Sequence, residues 1–168
     1  MVYYEDEQCL VIYDKHPKAK YHLLLMGKGP PVHQPTGLRR EHLPSRRRLH
    51  AMGRRIAEDL SQRGAGAVRR CDYHAIPSAE PLHLHIISQD FDSSFMRKIT
   101  HWNSFTTDFF LDYSWVEARL EELGSLELDM SIKYERLEYQ PVQCYRCGWE
   151  ASVESLKRHH LECAAPLP

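Results

Sequence analysis

A chain of 168 residues, 42% hydrophobic and with a net charge of −1, carries enough apolar material for one cored domain plus a small appendage. No run approaches the roughly 20 apolar residues of a transmembrane helix, and Met1 to Asp6 lack the basic-then-apolar layout of a signal peptide. Five cysteines without an export signal point to a reducing compartment, and to thiols or metal rather than disulfides.

In chain order, Gln8 to Asp14 (QCLVIYD) and Tyr21 to Met26 (YHLLLM) read as strands, separated by the turn-like Lys15-His16-Pro17-Lys18. Gly27 to Gly37 holds three glycines and three prolines and reads as a loop. Pro44 to Leu60 predicts a helix: proline suits its first turn, and Leu49, Met52, Ile56 and Leu60 follow helical spacing. Gly64 and Gly66 end it. Ala67 to Ile76 and Leu82 to Ser88 predict two more strands, joined by Pro77 to Pro81, and Ser114 to Leu123 predicts a helix stopped by Gly124. The pattern suggests an α+β fold, mostly antiparallel sheet packed on helix. Charge is uneven along it. Arg39 to Arg70 carries ten arginines against three acids, and Asn103 to Gln140 nine acids against three bases. A local basic surface of that kind suits a polyanion, although an arginine run is also the ordinary composition of a solvated helix face.

The strand at Leu82 to Ser88 carries the first chemistry. Residues two apart in a strand share a face, so Leu82, Leu84 and Ile86 point one way and His83, His85 and Ile87 the other. The apolar set belongs to a core. Two imidazoles side by side suit a phosphate, a metal or a nucleophile–acid pair.

The tail carries the second. Cys144 and Cys147 are three apart, and His159 and Cys163 are four apart, on one face of a helix. Thiolate and imidazole are zinc's preferred ligands, and so short a module has too little core to fold without metal. His160 competes with His159, which has the more usual spacing to Cys163. Cys9 and Cys71 lie in strands and are expected to be buried thiols.

The runs His74-Ala-Ile-Pro-Ser78 and Leu82-His-Leu-His-Ile-Ile-Ser-Gln-Asp-Phe-Asp-Ser93 resemble the histidine-triad motif of the aprataxin family. Asp14-Lys-His-Pro-Lys-Ala-Lys-Tyr-His22 upstream, His101-Trp-Asn-Ser-Phe105 downstream and the Cys-Cys-His-Cys tail extend the likeness over nearly the whole chain. The resemblance implies a histidine-triad catalytic domain over residues 1–137 and a DNA-binding zinc finger over 138–168. It also implies a reaction: removal of AMP from 5′-adenylated DNA ends left by abortive ligation, through a covalent histidine–AMP intermediate.

By that resemblance His83 is the nucleophile and His85 holds the phosphate oxygens. Ser78 hydrogen-bonds the same oxygens, and His74 assists the leaving phosphate. Asp14 takes the ribose hydroxyls, and Ile12 and Leu10 border the adenine. Lys15, His16, Pro17, Lys18, Lys20, Asp92, Ser93, Lys98 and His101 fall in segments that approach the DNA. One structural zinc per chain, on Cys144, Cys147, His159 and Cys163, is the implied cofactor, with no organic cofactor. A monomer acting in the nucleus, with damaged DNA as partner, AMP as product and no membrane association, completes the expectation. One position departs from the motif: Pro81 stands where a full triad would begin with histidine. Two other readings stay open. One is a general hydrolase of nucleoside phosphoramidates or dinucleoside polyphosphates. The other is a zinc-finger nucleic-acid-binding module whose catalytic site has degenerated.

Overall fold

The structure, a computed structural model, describes residues 1–65, 68–128 and 133–166. Strands β1 (Val2–Glu5), β2 (Cys9–Tyr13), β3 (His22–Gly27), β4 (Val68–His74), β5 (His83–Ser88) and β6 (Phe110–Leu111) form one sheet in the order β1-β2-β3-β5-β4-β6. All of these pairings are antiparallel. The helices are α1 (Leu43–Leu60), α2 (Ile99–Thr106), α3 (Tyr113–Leu123), α4 (Lys133–Tyr139) and α5 (Val153–Glu162). The α+β architecture expected from the sequence is therefore the one observed, with the histidine strand β5 in the middle of the sheet. Gly66 and Ala67, expected to end a helix and begin a strand, lie outside the described residues.

Each face of the sheet has its own core. On one face Leu49, Ile56, Ala57 and Leu60 of α1 bury against Val11, Leu23, Leu25, Leu84 and Ile86. Full burial of one such side chain contributes about 1.5–3 kcal/mol. The helix sits close to the strands because Gly53 has no side chain: a Cβ there would collide with the Cys71 sulfur. The Asp112 carboxylate caps α3 by accepting the Trp115 N–H at 3.1 Å, and Gly124, at φ +80°, ends it. Cys9 and Cys71 are buried free thiols, as expected.

Part of the basic stretch is occupied within the fold, while Arg48, Arg54 and Arg55 of α1 are exposed. Arg47 pairs with Glu117 and Glu121 of α3. Arg40 donates to the Leu120, Glu121 and Glu122 carbonyls at that helix's C-terminus, where a cation is favoured, and Arg46 is buried. Arg40 and Arg47 thus join the arginine-rich segment to the acidic one, across the sheet from the histidines.

The other face is covered only in part. Ile87, Phe91, Trp102, Phe105 and Phe110 form a second core together with Val142, Cys144, Val153 and Leu156 of the tail. The Trp102 indole N–H donates to the Gln143 carbonyl at 2.9 Å, and the Asn103 amide to the Gln140 carbonyl at 2.8 Å. The tail is therefore a continuation of this core, and the domain boundary expected at 137/138 falls inside α4. Strands β1 and β6 and helices α2 and α4 are not apparent from sequence periodicity. Helix α2 (ITHWNSFT) is rich in weak helix formers, and its aromatic and amide side chains are the ones that dock against sheet and tail.

Candidate functional site

Strand parity builds the site as a grid. In β5, His83, His85 and Ile87 face the half-covered side. Pairing places Met26 opposite His83 and Leu24 opposite His85, with Leu10 opposite Met26 and Ile12 opposite Leu24. Leu10 and Ile12 thus share the histidines' face and are half-buried. One step further along the hairpin, Asp14 meets His22, its N–H bonded to the His22 carbonyl at 3.0 Å. From β4, Asp72 lies opposite His85, and two residues on, His74 presents its ring to the His85 ring at 4.2 Å. Four imidazoles converge: His83 lies 4.7 Å and His22 5.2 Å from His85, centroid to centroid.

Hydrogen bonds assign the protons. The Lys18 backbone N–H donates to His22 Nδ1 at 3.1 Å. Neutral His22 therefore carries its proton on Nε2, which donates to His85 Nδ1 at 2.9 Å. His85 must then hold its own proton on Nε2. That nitrogen, like His74 Nε2, is buried without a partner among the described residues. His83 donates Nδ1–H to the Pro81 carbonyl at 2.9 Å, which leaves the Nε2 lone pair free. Burial keeps the cluster uncharged: His22 is pulled down to about 4, His83 is lowered, and His74 and His85 are held well below the ordinary imidazole value. The Asp14 carboxylate, 3.7 Å from His22 Nδ1, opposes that shift without overcoming it. The contact is too long for a hydrogen bond, and Nδ1 already accepts from Lys18.

A buried unpaired polar nitrogen costs about 1–3 kcal/mol unless something fills it, and of these two the His85 Nε2–H is the donor. A free imidazole lone pair beside unpaired ring nitrogens is suited to an electrophile that carries acceptor oxygens. Asp14, half-buried, accepts the His16 N–H at 2.6 Å and keeps a second carboxylate oxygen. Lys18, half-buried, and His101 border the cluster, and the Lys18 charge helps to lower His74, His85 and His101. Ser78 lies exposed in the loop before β5. Lys15, His16, Lys20, Asp92 and Lys98 are exposed around the rim, whereas Pro17, Ser93 and His101 are half-buried. The Ser93 hydroxyl donates to the Pro17 carbonyl and joins the two rim loops.

His22, to which no role attaches from the sequence alone, completes this cluster. Its only signal was its place in the Asp14–His22 segment, because hairpin register is invisible before folding. A cavity of about 550 Å³ lies elsewhere, between the β1–β2 turn, the loop after β3 and the first half of α1.

In the tail, single ligand atoms of Cys144, Cys147, His159 and Cys163 lie within 4.8 Å of one another and can hold a metal ion. Cys144 Sγ is 4.0 Å from Cys163 Sγ, and Cys147 Sγ is 3.2 Å from His159 Nε2. These spacings bracket the roughly 3.5–3.8 Å edges of a tetrahedron with zinc–ligand distances near 2.0–2.3 Å. Gly148, at φ +77°, closes the turn that pairs the first two cysteines. Ser152 caps α5, on which Val153, Leu156 and His160 face the core. His160 donates Nε2–H to the Gln89 carbonyl. Adjacent helix residues point about 100° apart, so His159 turns to the cysteines while His160 turns inward.

Residues 1–101 match the family described as "Scavenger mRNA decapping enzyme C-term binding". Aprataxin of Gallus gallus is 37% identical over 158 residues, covering 93% of this chain and 48% of that protein. An aprataxin-like protein of Schizosaccharomyces pombe is 30% identical over 186 residues, covering 99% of this chain and 72% of that protein. The crystal structure of aprataxin ortholog Hnt3 in complex with DNA superposes with a TM-score of 0.70 at 27% identity, over 96% of this chain and 85% of that one. The chain spans 42–50% of the length of the aprataxins of Ciona intestinalis, Gallus gallus and Danio rerio.

Proposed function

Since this chain belongs to the aprataxins, and to the family described as scavenger mRNA decapping enzyme C-term binding, we propose that it is a hydrolase that removes AMP from 5′-adenylated DNA ends. The observation that carries the reading is the cluster of neutral imidazoles around one free lone pair, His83 Nε2. Supporting the DNA substrate is the likeness to Hnt3, solved in complex with DNA and in complex with DNA and guanosine.

In this reading His83 Nε2 attacks the phosphorus of the AMP moiety. The bond to the bridging oxygen breaks, its electron pair leaves with the DNA 5′-phosphate, and a histidine–AMP phosphoramidate remains. Water then cleaves the nitrogen–phosphorus bond, releasing AMP and returning the lone pair to His83. Donation from Nδ1 to the Pro81 carbonyl steadies the imidazolium character that develops as Nε2 bonds phosphorus. That backbone acceptor leaves the attack independent of a histidine at position 81. The His85 Nε2–H, oriented through His22, donates to a non-bridging oxygen as charge builds there. His74, kept neutral by burial, contributes a hydrogen bond rather than a full charge. Asp14 accepts from the ribose hydroxyls, Ile12 and Leu10 line the adenine, and Ser78 and His101 contact the phosphate side. Lys15, Lys18, Lys20 and Lys98 meet the backbone phosphates. Zinc on Cys144, Cys147, His159 and Cys163 would hold the tail in shape, with no part in the chemistry. A nuclear location belongs to the same proposal.

The test compares kcat/KM on adenylated nicked DNA with that on AMP-lysine and on a dinucleoside polyphosphate. Strong preference for the DNA supports the reading, and equal or better turnover of the small substrates refutes it.

A further inference from the structure

Between Phe91 and Lys98 the chain holds an exposed aromatic ring on a firmly anchored loop. Phe91, at φ +48°, is wholly buried, with Trp102 5.5 Å and Tyr145 5.9 Å from its ring. Met96 is buried too. Between these anchors the Ser93 hydroxyl donates to the Pro17 carbonyl, and Lys157 of α5 donates to the Ser93 carbonyl at 2.9 Å. The backbone N–H of Phe95 is bonded to Ser93 Oγ at 3.1 Å. A loop tied at this many points has little slack, yet Phe95 is 37% exposed. Its ring is held edge-to-face by His16 at 5.2 Å, and the Arg97 guanidinium lies 5.9 Å from its centroid. Nothing else in the proposed chemistry uses this ring.

The surroundings indicate what would cover it. The ring meets His16, whose N–H is bonded to Asp14, and Ser93 is tied to Pro17, while Asp14 lies 3.7 Å from His22, so the Phe95 loop borders the Asp14 side of the histidine cluster. Arg97 lies over the ring and Lys98 follows it in the chain, while Lys18 and Lys20 belong to the neighbouring loop that Ser93 ties through the Pro17 carbonyl. The acid at its base, Asp90, is engaged by the Lys20 and Asp92 N–H groups. A planar ring flanked by cations and set against a phosphate-handling site matches a nucleotide whose base stacks while its backbone is neutralised.

We propose that Phe95, braced by His16 and Arg97, is a stacking platform for the nucleobase next to the adenylated 5′ end. It thereby selects polynucleotide over small AMP adducts. This rests on the DNA-adenylate reading above and deepens it.

The experiment measures kcat and KM on adenylated nicked DNA and on AMP-lysine for wild type, F95A and F95W. F95A should lower the ratio of kcat/KM on DNA to that on AMP-lysine roughly tenfold, through KM, while F95W restores it. Replacing the terminal nucleotide by an abasic one should weaken wild type to a similar degree and add no loss to F95A. The platform is overturned if F95A leaves the ratio within twofold of wild type, if both substrates suffer equally, or if the abasic and F95A losses multiply. Wild-type protein that releases no AMP from adenylated DNA refutes the functional reading instead. In that event 2-aminopurine at the terminal base reports stacking alone. Quenching by wild type but not F95A supports the platform, and equal signals overturn it.

Discussion

Replacing His22 by glutamine tests the proton arrangement on which the proposed chemistry depends. In the fold His22 is wholly buried and titrates at about 4, against 6.5 for an unperturbed imidazole. The unfolded chain therefore takes up a proton between pH 6.5 and 4 that the native protein does not. Stability rises with pH wherever the unfolded state binds more protons, so this group destabilises the protein on acidification and contributes nothing above about pH 7. Between pH 7 and pH 5 the loss from His22 alone comes to about 2 kcal/mol. The burial-lowered His74, His83 and His85 add to it in the same direction. Glutamine offers an amide N–H toward His85 Nδ1 and cannot titrate. Urea unfolding of both proteins at pH 7, 6 and 5 measures the effect. The stability difference, wild type minus H22Q, should shrink by about 2 kcal/mol on going from pH 7 to 5. Parallel pH profiles would mean that His22 titrates alike in the native and unfolded chains, and a difference that grows on acidification would mean that it is protonated and ion-paired with Asp14 in the fold; either result would overturn the tautomer assigned to His85.

H83A should abolish AMP release while DNA binding persists, since phosphate contacts are spread over several residues. An adduct trapped on wild type should map to His83, and turnover by the alanine variant at the wild-type rate would remove it as nucleophile. H159A should lose bound zinc by elemental analysis whereas H160F keeps it, because only His159 faces the cysteines; the opposite pattern would exchange their roles. G53A should destabilise the fold by about 1–3 kcal/mol despite alanine's better helix propensity, because the new methyl meets the Cys71 sulfur and the Leu25 side chain at 3.3 Å. Thermal unfolding of G53A with C71A, which should recover most of that loss, checks the cause.

Periodicity and motif spacing were enough to read much of this protein from its sequence. The alternation in LHLHII separates a core face from a histidine face whatever surrounds it. The 3-4-4 spacing from Leu49 to Leu60 defines a helix with one buried side. Cys144, Cys147, His159 and Cys163 form a ligand set by separation alone, since a turn and a helix fix their distances locally. Other features depend on partners far away in the chain. His22 joined the site only through strand register, 63 residues from His85. Trp102 and Asn103 sit in a motif beside the catalytic histidines yet bind the tail. Of the arginine run, open to a polyanion when read as a string, Arg40 and Arg47 are taken up by the carbonyls and carboxylates of α3. His159 and His160 are neighbours in sequence, and only the inward packing of α5 onto Gln89 separates ligand from core. Local spacing repeats along the backbone and is legible there. Register, docking and the partner of each charge are settled between segments whose distance apart is set by the fold as a whole.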